Sequence, residues 1–170
     1  MKTLIITLLV CSLSCSADEV LTRDERIIAL TILGEARGEG QLGMFADGCV
    51  IQNRVRERKL TAAQVCLQYR QFSIWNKDAP LGAGRNLAPR KVRKKESELY
   101  YLWSSKEMMY ARSLARWINE KSTTLGDVTN GANHFCTKDF NPHWTVESLK
   151  PLKFRKPVET IGNHKFYKLP

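Results

Sequence analysis

Residues 22–40 read TRDERIIALTILGEARGEG. Thr22 and Glu25 have the spacing of a capping box, in which the hydroxyl takes a backbone N–H and the glutamate reaches back to the N-cap. Ile27, Ile28, Leu30, Thr31, Ile32 and Leu33 follow, apolar almost all round, so the helix they form is central and largely buried. Gly34 begins its end. From there to Gly40 the chain holds two carboxylates, one guanidinium and three glycines. A carboxyl at Glu35 has apolar neighbours behind it and the negative pole of the helix dipole beneath it. Both disfavour the ionised form and raise its pKa, as a general acid working near neutral pH requires. Glu39 would share the face of Glu35 and repel it if the helix continued; with Gly38 and Gly40 beside it, a turn pairing Glu39 with Arg37 is the other outcome. A third, in which both glutamates are solvated helix-end charges, stays open.

Downstream, a second helix is expected from about Gln41 to Arg54, with Met44, Gly48, Ile51 and Val55 on one face and Cys49 and Val50 beside them. Thr61 and Gln64 form another capping box, opening a short helix through about Tyr69. Lys77 to Lys95 carries Pro80, Gly82, Gly84 and Pro89 among Arg85, Arg90, Lys91, Arg93, Lys94 and Lys95, a basic loop insertion. A long helix over about Glu96–Lys121 turns Leu99, Leu102, Trp103, Tyr110, Leu114 and Trp117 to the core, with Met108, Met109 and Ala111 filling that face. The last third is rich in Asn, Gly, His and Asp. It ends in a turn entering a short strand, with Ile161, Lys165 and Tyr167 on one side.

Upstream, Met1–Ala17 has the order of an export signal: Lys2, an apolar run from Leu4 to Val10, then Ser14-Cys15-Ser16-Ala17. Cys15 is a candidate for acylation, although Ser12 suits that poorly. The remaining residues, 18–170, have the length of one domain with its own core. Without the leader, 26 basic residues face 17 acidic ones, a net charge of +9 that concentrates polyanions. Export favours an anionic envelope over nucleic acid. Cys49, Cys66 and Cys136 remain, so at most one internal disulfide forms and one thiol stays free.

The candidate chemistry is that of carbohydrate. Asn130-Gly131-Ala132-Asn133-His134-Phe135 and Asn141-Pro142-His143-Trp144 supply amides for hydroxyl and acetamido groups and aromatic faces for sugar rings. Phe72 and Trp75, in the segment that begins at Gln71, would give the opposite wall. Two rivals are weaker. The late histidines, with Cys136 or Asp139, lack any tight zinc spacing, and a Cys136–His143 nucleophile pair has no local signature.

GEARGE at 34–39, Asn53-Arg54-Val55, Val65-Cys66, Gln71-Phe72-Ser73 with Trp75-Asn76, Asn130-Gly131-Ala132, Asn141-Pro142 and IGNHKFY at 161–167 occur in one order from about Arg26 to Tyr167. Together they resemble the SleB-type cell-wall hydrolases. The resemblance implies a mainly α (α+β), lysozyme-like domain related to lytic transglycosylases, with several helices and a small β/loop lobe in the C-terminal third. It places the catalytic acid at Glu35, acting on peptidoglycan glycan strands. Met44, Phe45, Asp47 and Cys49 depart from the alanine- and valine-rich second helix usual in that family.

The resulting expectation is an exported, monomeric enzyme that needs no metal or cofactor and has no membrane span. It cleaves the β-1,4 bond between N-acetylmuramic acid and N-acetylglucosamine by the lytic route, with Glu35 as the single catalytic residue. The expected substrate-binding residues are Glu39, Gln71, Phe72, Trp75, Asn130, His134, Phe135, Asn141 and Trp144. No second carboxylate is placed as nucleophile or base; Glu39 and Asp47 are the candidates. The alternatives are an N-acetylmuramoyl-L-alanine amidase and a non-catalytic basic envelope-binding protein.

Overall fold

The computed structural model describes residues 20–68, 71–76, 89–120, 126–149 and 152–170. The leader at 1–17, and with it Cys15, lies outside these residues, as does the 77–88 part of the basic insertion.

Helix α1 (Arg23–Ala36) is the axis of the molecule. Its capping box forms as the spacing predicts: Thr22 Oγ1 accepts from Glu25 N at 3.3 Å and Glu25 Oε2 accepts from Thr22 N at 2.7 Å. Ile27 to Leu33 are all buried, because α1 is enclosed by its neighbours rather than lying on one. Gly34 does not end the helix. A Cβ there would sit 2.1 Å from Ile74 Cδ1, so the glycine makes room for Ile74 and the helix runs on to Ala36.

A 3₁₀ turn (Arg37–Glu39) leads into α2 (Gly40–Arg58), with Gly40 at φ +69°. Glu39 therefore leaves the Glu35 face. Helix α2 divides two apolar clusters. Met44 and Ile51 join the helical core with α1, whereas Ala46 and Val50 pack against Ala132 and Phe166 of the β lobe. Short α3 (Ala62–Cys66) opens on the expected Thr61–Gln64 capping box, and α4 (Ser73–Asn76) follows.

The long helix expected over 96–121 is two helices, α5 (Pro89–Leu99) and α6 (Lys106–Glu120), joined through a 3₁₀ turn at Tyr100–Leu102. Ser105 Oγ accepts the Met108 N–H at 3.1 Å and so caps α6, the usual reason a serine interrupts a helical pattern. Helix α5 also takes in the Pro89–Lys95 end of the basic insertion, with proline in the first turn where its missing N–H costs nothing. Met109, expected in the core, is 60% exposed; Met108 takes the inward position.

The C-terminal third forms the β lobe. Strands β1 (His134–Thr137), β4 (Glu159–Ile161) and β5 (His164–Tyr167) make an antiparallel sheet in the order β1-β5-β4, and β2 (Val146–Leu149) pairs with β3 (Leu152–Phe154). Phe135 pairs with Phe166 and Thr137 with His164. Ile161 pairs with His164, so it shares a face with His164 and Phe166 rather than with Lys165 and Tyr167. The two-residue turn Gly162-Asn163 folds the chain back and reverses the expected alternation. The chain is mainly α with a small β lobe, as read from the sequence. Among the described residues no helix is long and apolar enough to cross a membrane.

Long-range hydrogen bonds fix the lobe to the helices. Asn53 Nδ2 on α2 donates to Asp127 Oδ2 at 3.0 Å and to Ala132 O at 2.8 Å, and Asp127 accepts from Thr129 N and Gly131 N. Glu39 Oε2 accepts the Asn163 N–H across the β4–β5 turn.

Candidate active site

A hollow of about 740 Å³ opens where α1, α4, β1 and β5 meet. Glu35, in the last turn of α1, lies against it and is the only carboxylate among its described lining residues. Its Oε1 accepts from Ile74 N at 2.9 Å and from Ser73 Oγ at 3.1 Å. Helix α4 is held in place for this by Trp75, whose Nε1 donates to Thr31 Oγ1 at 2.9 Å. Burial raises the Glu35 pKa above that of an ordinary glutamate and outweighs the lowering by the Ile74 and Ser73 hydrogen bonds and by the charge of His164. The group is set up to keep a proton that a surface glutamate would lose.

The other walls come from the β lobe and α2. All four residues of β1 line the hollow, with Phe140, Pro142, His143 and Trp144 from the following segment and His164 from β5. Trp144 lies against His134 with ring centroids 5.2 Å apart and meets Tyr167 edge-on at 5.4 Å. Burial, with the charges of Arg54 and Arg58, lowers the His134 pKa to about 4, so the ring is neutral at pH 7. Its Nδ1 is 2.8 Å from Asn133 Oδ1. Arg54 Nε donates to Asn133 O at 2.6 Å, and its guanidinium lies 4.9 Å from the centroid of the Phe72 ring.

Glu35, Gln71, His134, Phe135 and Trp144 are thus brought to one concavity. The other expected binding residues stand elsewhere. Phe72 and Trp75 are buried behind the wall, where they pack Arg54 and anchor α4. Asn130 is in a turn at φ +54° and donates to Glu159 Oε2, Asn141 accepts from Lys165 Nζ, and Glu39 holds the β4–β5 turn. Arg54, Ser73 and His164 were read from the sequence only as parts of motifs, and Thr137 and Phe140 not at all; none was placed among the site residues, since each reaches the hollow only through tertiary packing.

Asp47 is 1% exposed and paired with His164 rather than open to the hollow. Cys49, Cys66 and Cys136 are buried free thiols. Burial pushes the Cys66 thiol up to about 12 and also raises Cys136, which donates to Phe140 O at 3.3 Å. Neither is an activated nucleophile. Among the described residues, no group of three or more His, Cys, Asp and Glu side chains converges as metal ligands. Another hollow, of about 690 Å³, lies between the start of α1, α5 and α6. Glu96, among its lining residues, is taken up in an ion pair with Arg26 at 3.5 Å.

With this geometry in view, comparison with known families is decisive on class. The cell wall hydrolase family model matches residues 38–167. The chain belongs to the cell wall hydrolase family, and the resemblance read from its motifs holds. The match begins three residues after Glu35, so the case for that side chain rests on the site itself. Neither the curated proteins nor the solved structures gave a significant match.

Proposed function

We propose that the protein is an exported peptidoglycan-cleaving enzyme that breaks the β-1,4 bond between N-acetylmuramic acid and N-acetylglucosamine by the lytic route, with Glu35 as acid and then base. The observation that carries this reading is that Glu35 is the sole carboxylate among the described residues lining the hollow, and that its pKa is raised there. Hydrolytic glycosidases of either stereochemistry use two carboxyl groups astride the bond. Here one acid faces an aromatic and amide-bearing wall suited to an amino-sugar strand.

The hydrogen bonds from Ile74 N and Ser73 Oγ to Glu35 fall on Oε1, from donors that do not release a proton at neutral pH. That supports Oε2 as the oxygen bearing the proton. In the proposed step, Oε2–H protonates the glycosidic oxygen and the C1–O4 bond breaks. The resulting carboxylate takes the proton of the muramoyl 6-hydroxyl as O6 bonds to C1, closing a 1,6-anhydro ring. No water is consumed, and Glu35 ends protonated as it began. Trp144 and Phe135 are suited to stacking on sugar rings, while Gln71 and neutral His134 offer polar contacts.

Mass spectrometry of the products from purified sacculi tests this. Anhydro-muramoyl ends, one water lighter than reducing ends, support the lytic route. Reducing ends alone would mean that water attacks, and intact glycan strands with loss of activity in chelator would mean an amidase.

A further inference from the structure

We infer that Asp47 is a positioning residue for the active site: from within α2 it fixes the His164 imidazole at the cavity wall and balances that ring's charge beside Glu35. The inference rests on the reading of Glu35 as the catalytic acid.

Asp47 is a misfit in its surroundings. It is 1% exposed, between Ala46 and Gly48, where α2 meets the apolar cluster of Val50, Ala132 and Phe166. Neither carboxylate oxygen has a hydrogen-bond partner. Its nearest ionisable neighbour is His164, with Nδ1 3.6 Å from Oδ1, and that Nδ1 also lacks any other partner. A buried carboxylate without hydrogen bonds is costly, and an apolar side chain of similar volume would serve packing better. The acid therefore answers to the histidine.

His164 is itself 4% exposed, yet it lines the hollow that holds Glu35. Its ring lies 4.9 Å from that of Phe135 and 6.1 Å from that of Phe166, centroid to centroid, so it has little freedom to turn. With Nδ1 directed at Asp47, the opposite edge, carrying Nε2, is directed away from α2. An imidazole held this way has a defined tautomer and a defined outward donor or acceptor.

The charges facing the ring come from three elements: Asp47 on α2, Glu35 on α1 and Glu39 on the 3₁₀ turn, with Arg54 of α2 acting on Asp47. Burial lowers the His164 pKa, but the contact and charge of Asp47, then Glu39 and Glu35, outweigh it and leave it raised. Burial raises Asp47 to about 6. When Asp47 is ionised and His164 protonated, the negative charge of Asp47 offsets part of the His164 field that lowers the Glu35 pKa. Without Asp47, either the ring gives up its proton or it faces Glu35 as an uncompensated cation that draws the Glu35 pKa down.

The test is an NMR titration of the His164 imidazole, assigned with His164→Gln, in the full chain and in Asp47→Asn, alongside pH–rate profiles on sacculi. In the parent protein His164 titrates above an ordinary histidine. In Asp47→Asn its midpoint falls by about one unit or more, and kcat falls about tenfold with KM little changed, as for loss of an orienting partner. The thermal midpoint is not lowered. Asp47→Ser serves as a second variant if the amide does not fold. An unchanged His164 midpoint in either variant overturns the inference, as does activity loss that merely tracks loss of fold. The titration is read on the resting protein, so it stands apart from the Glu35 assignment, which fails separately if Glu35→Gln stays active.

Discussion

Gly34→Ala puts one methyl group between the catalytic helix and the segment that holds its acid. In an exposed helix the change would stabilise by about 1 kcal/mol, the propensity difference between glycine and alanine. Here the new Cβ would stand 2.1 Å from Ile74 Cδ1, 2.9 Å from Cγ1 and 3.1 Å from Cβ. Carbon atoms rest about 3.5–4.0 Å apart. A rotation of the terminal methyl relieves the first contact but not the other two, so α4 must retreat by roughly 0.5–1 Å to restore that spacing. Overpacking of this kind costs about 1–3 kcal/mol. Set against the propensity gain, the net loss of stability is at most about 2 kcal/mol.

The larger effect is on activity. Ile74 N and Ser73 Oγ, at 2.9 and 3.1 Å from Glu35 Oε1, move away with α4. Displacement on the order of 1 Å at a reacting group costs about a hundredfold in rate. We therefore expect a folded variant, slightly less stable by chemical denaturation, whose rate of sacculus clearing falls about a hundredfold. A variant more stable by about 1 kcal/mol and as active as the parent would refute the role given to Ile74 and Ser73.

Other outcomes follow from the same contacts. Asn53→Ala leaves Ala132 O and Asp127 without their α2 donor and should cost about 1–3 kcal/mol in urea unfolding. Trp144→Ala removes an aromatic wall of the hollow and should raise KM for glycan strands up to about tenfold, a loss of about 0.5–1.5 kcal/mol, with kcat less affected. The raised Glu35 pKa means the folded state binds a proton more tightly than the unfolded chain, so its contribution to stability is full in acid and is lost as pH rises through the folded pKa. Glu35→Gln, which cannot ionise, should therefore melt above the parent at neutral pH, with the gap closing below the ordinary glutamate pKa. The clearing rate of the parent should decline on the same alkaline limb, because the acid must be protonated to act.

What the sequence made legible was chiefly local. The Thr22–Glu25 and Thr61–Gln64 boxes are four-residue matters, and the buried character of α1 follows from six apolar residues without a polar face. Glu35 was identifiable because its neighbours in the chain are also among its neighbours in space. Gly34 looked like a stop signal because its real reason, Ile74, lies on another helix. Glu39 bonds to Asn163, a partner 124 residues away, and no local pattern encodes that tie. Asp47 and His164 meet only because α2 lies across the sheet, so a departure in the second helix could be noticed but not interpreted. The break at Ser105 and the exposure of Met109 fall where two helices share one continuous apolar pattern.

The most direct test of the account is the rate at which Glu35→Gln clears purified sacculi, measured beside the parent protein at matched folded concentration. The substitution keeps the side chain's size and its capacity to accept from Ile74 N and Ser73 Oγ while removing the transferable proton. The account predicts loss of clearing to the background rate, with binding to sacculi retained. Clearing at the parental rate would contradict it and would place the chemistry on another group.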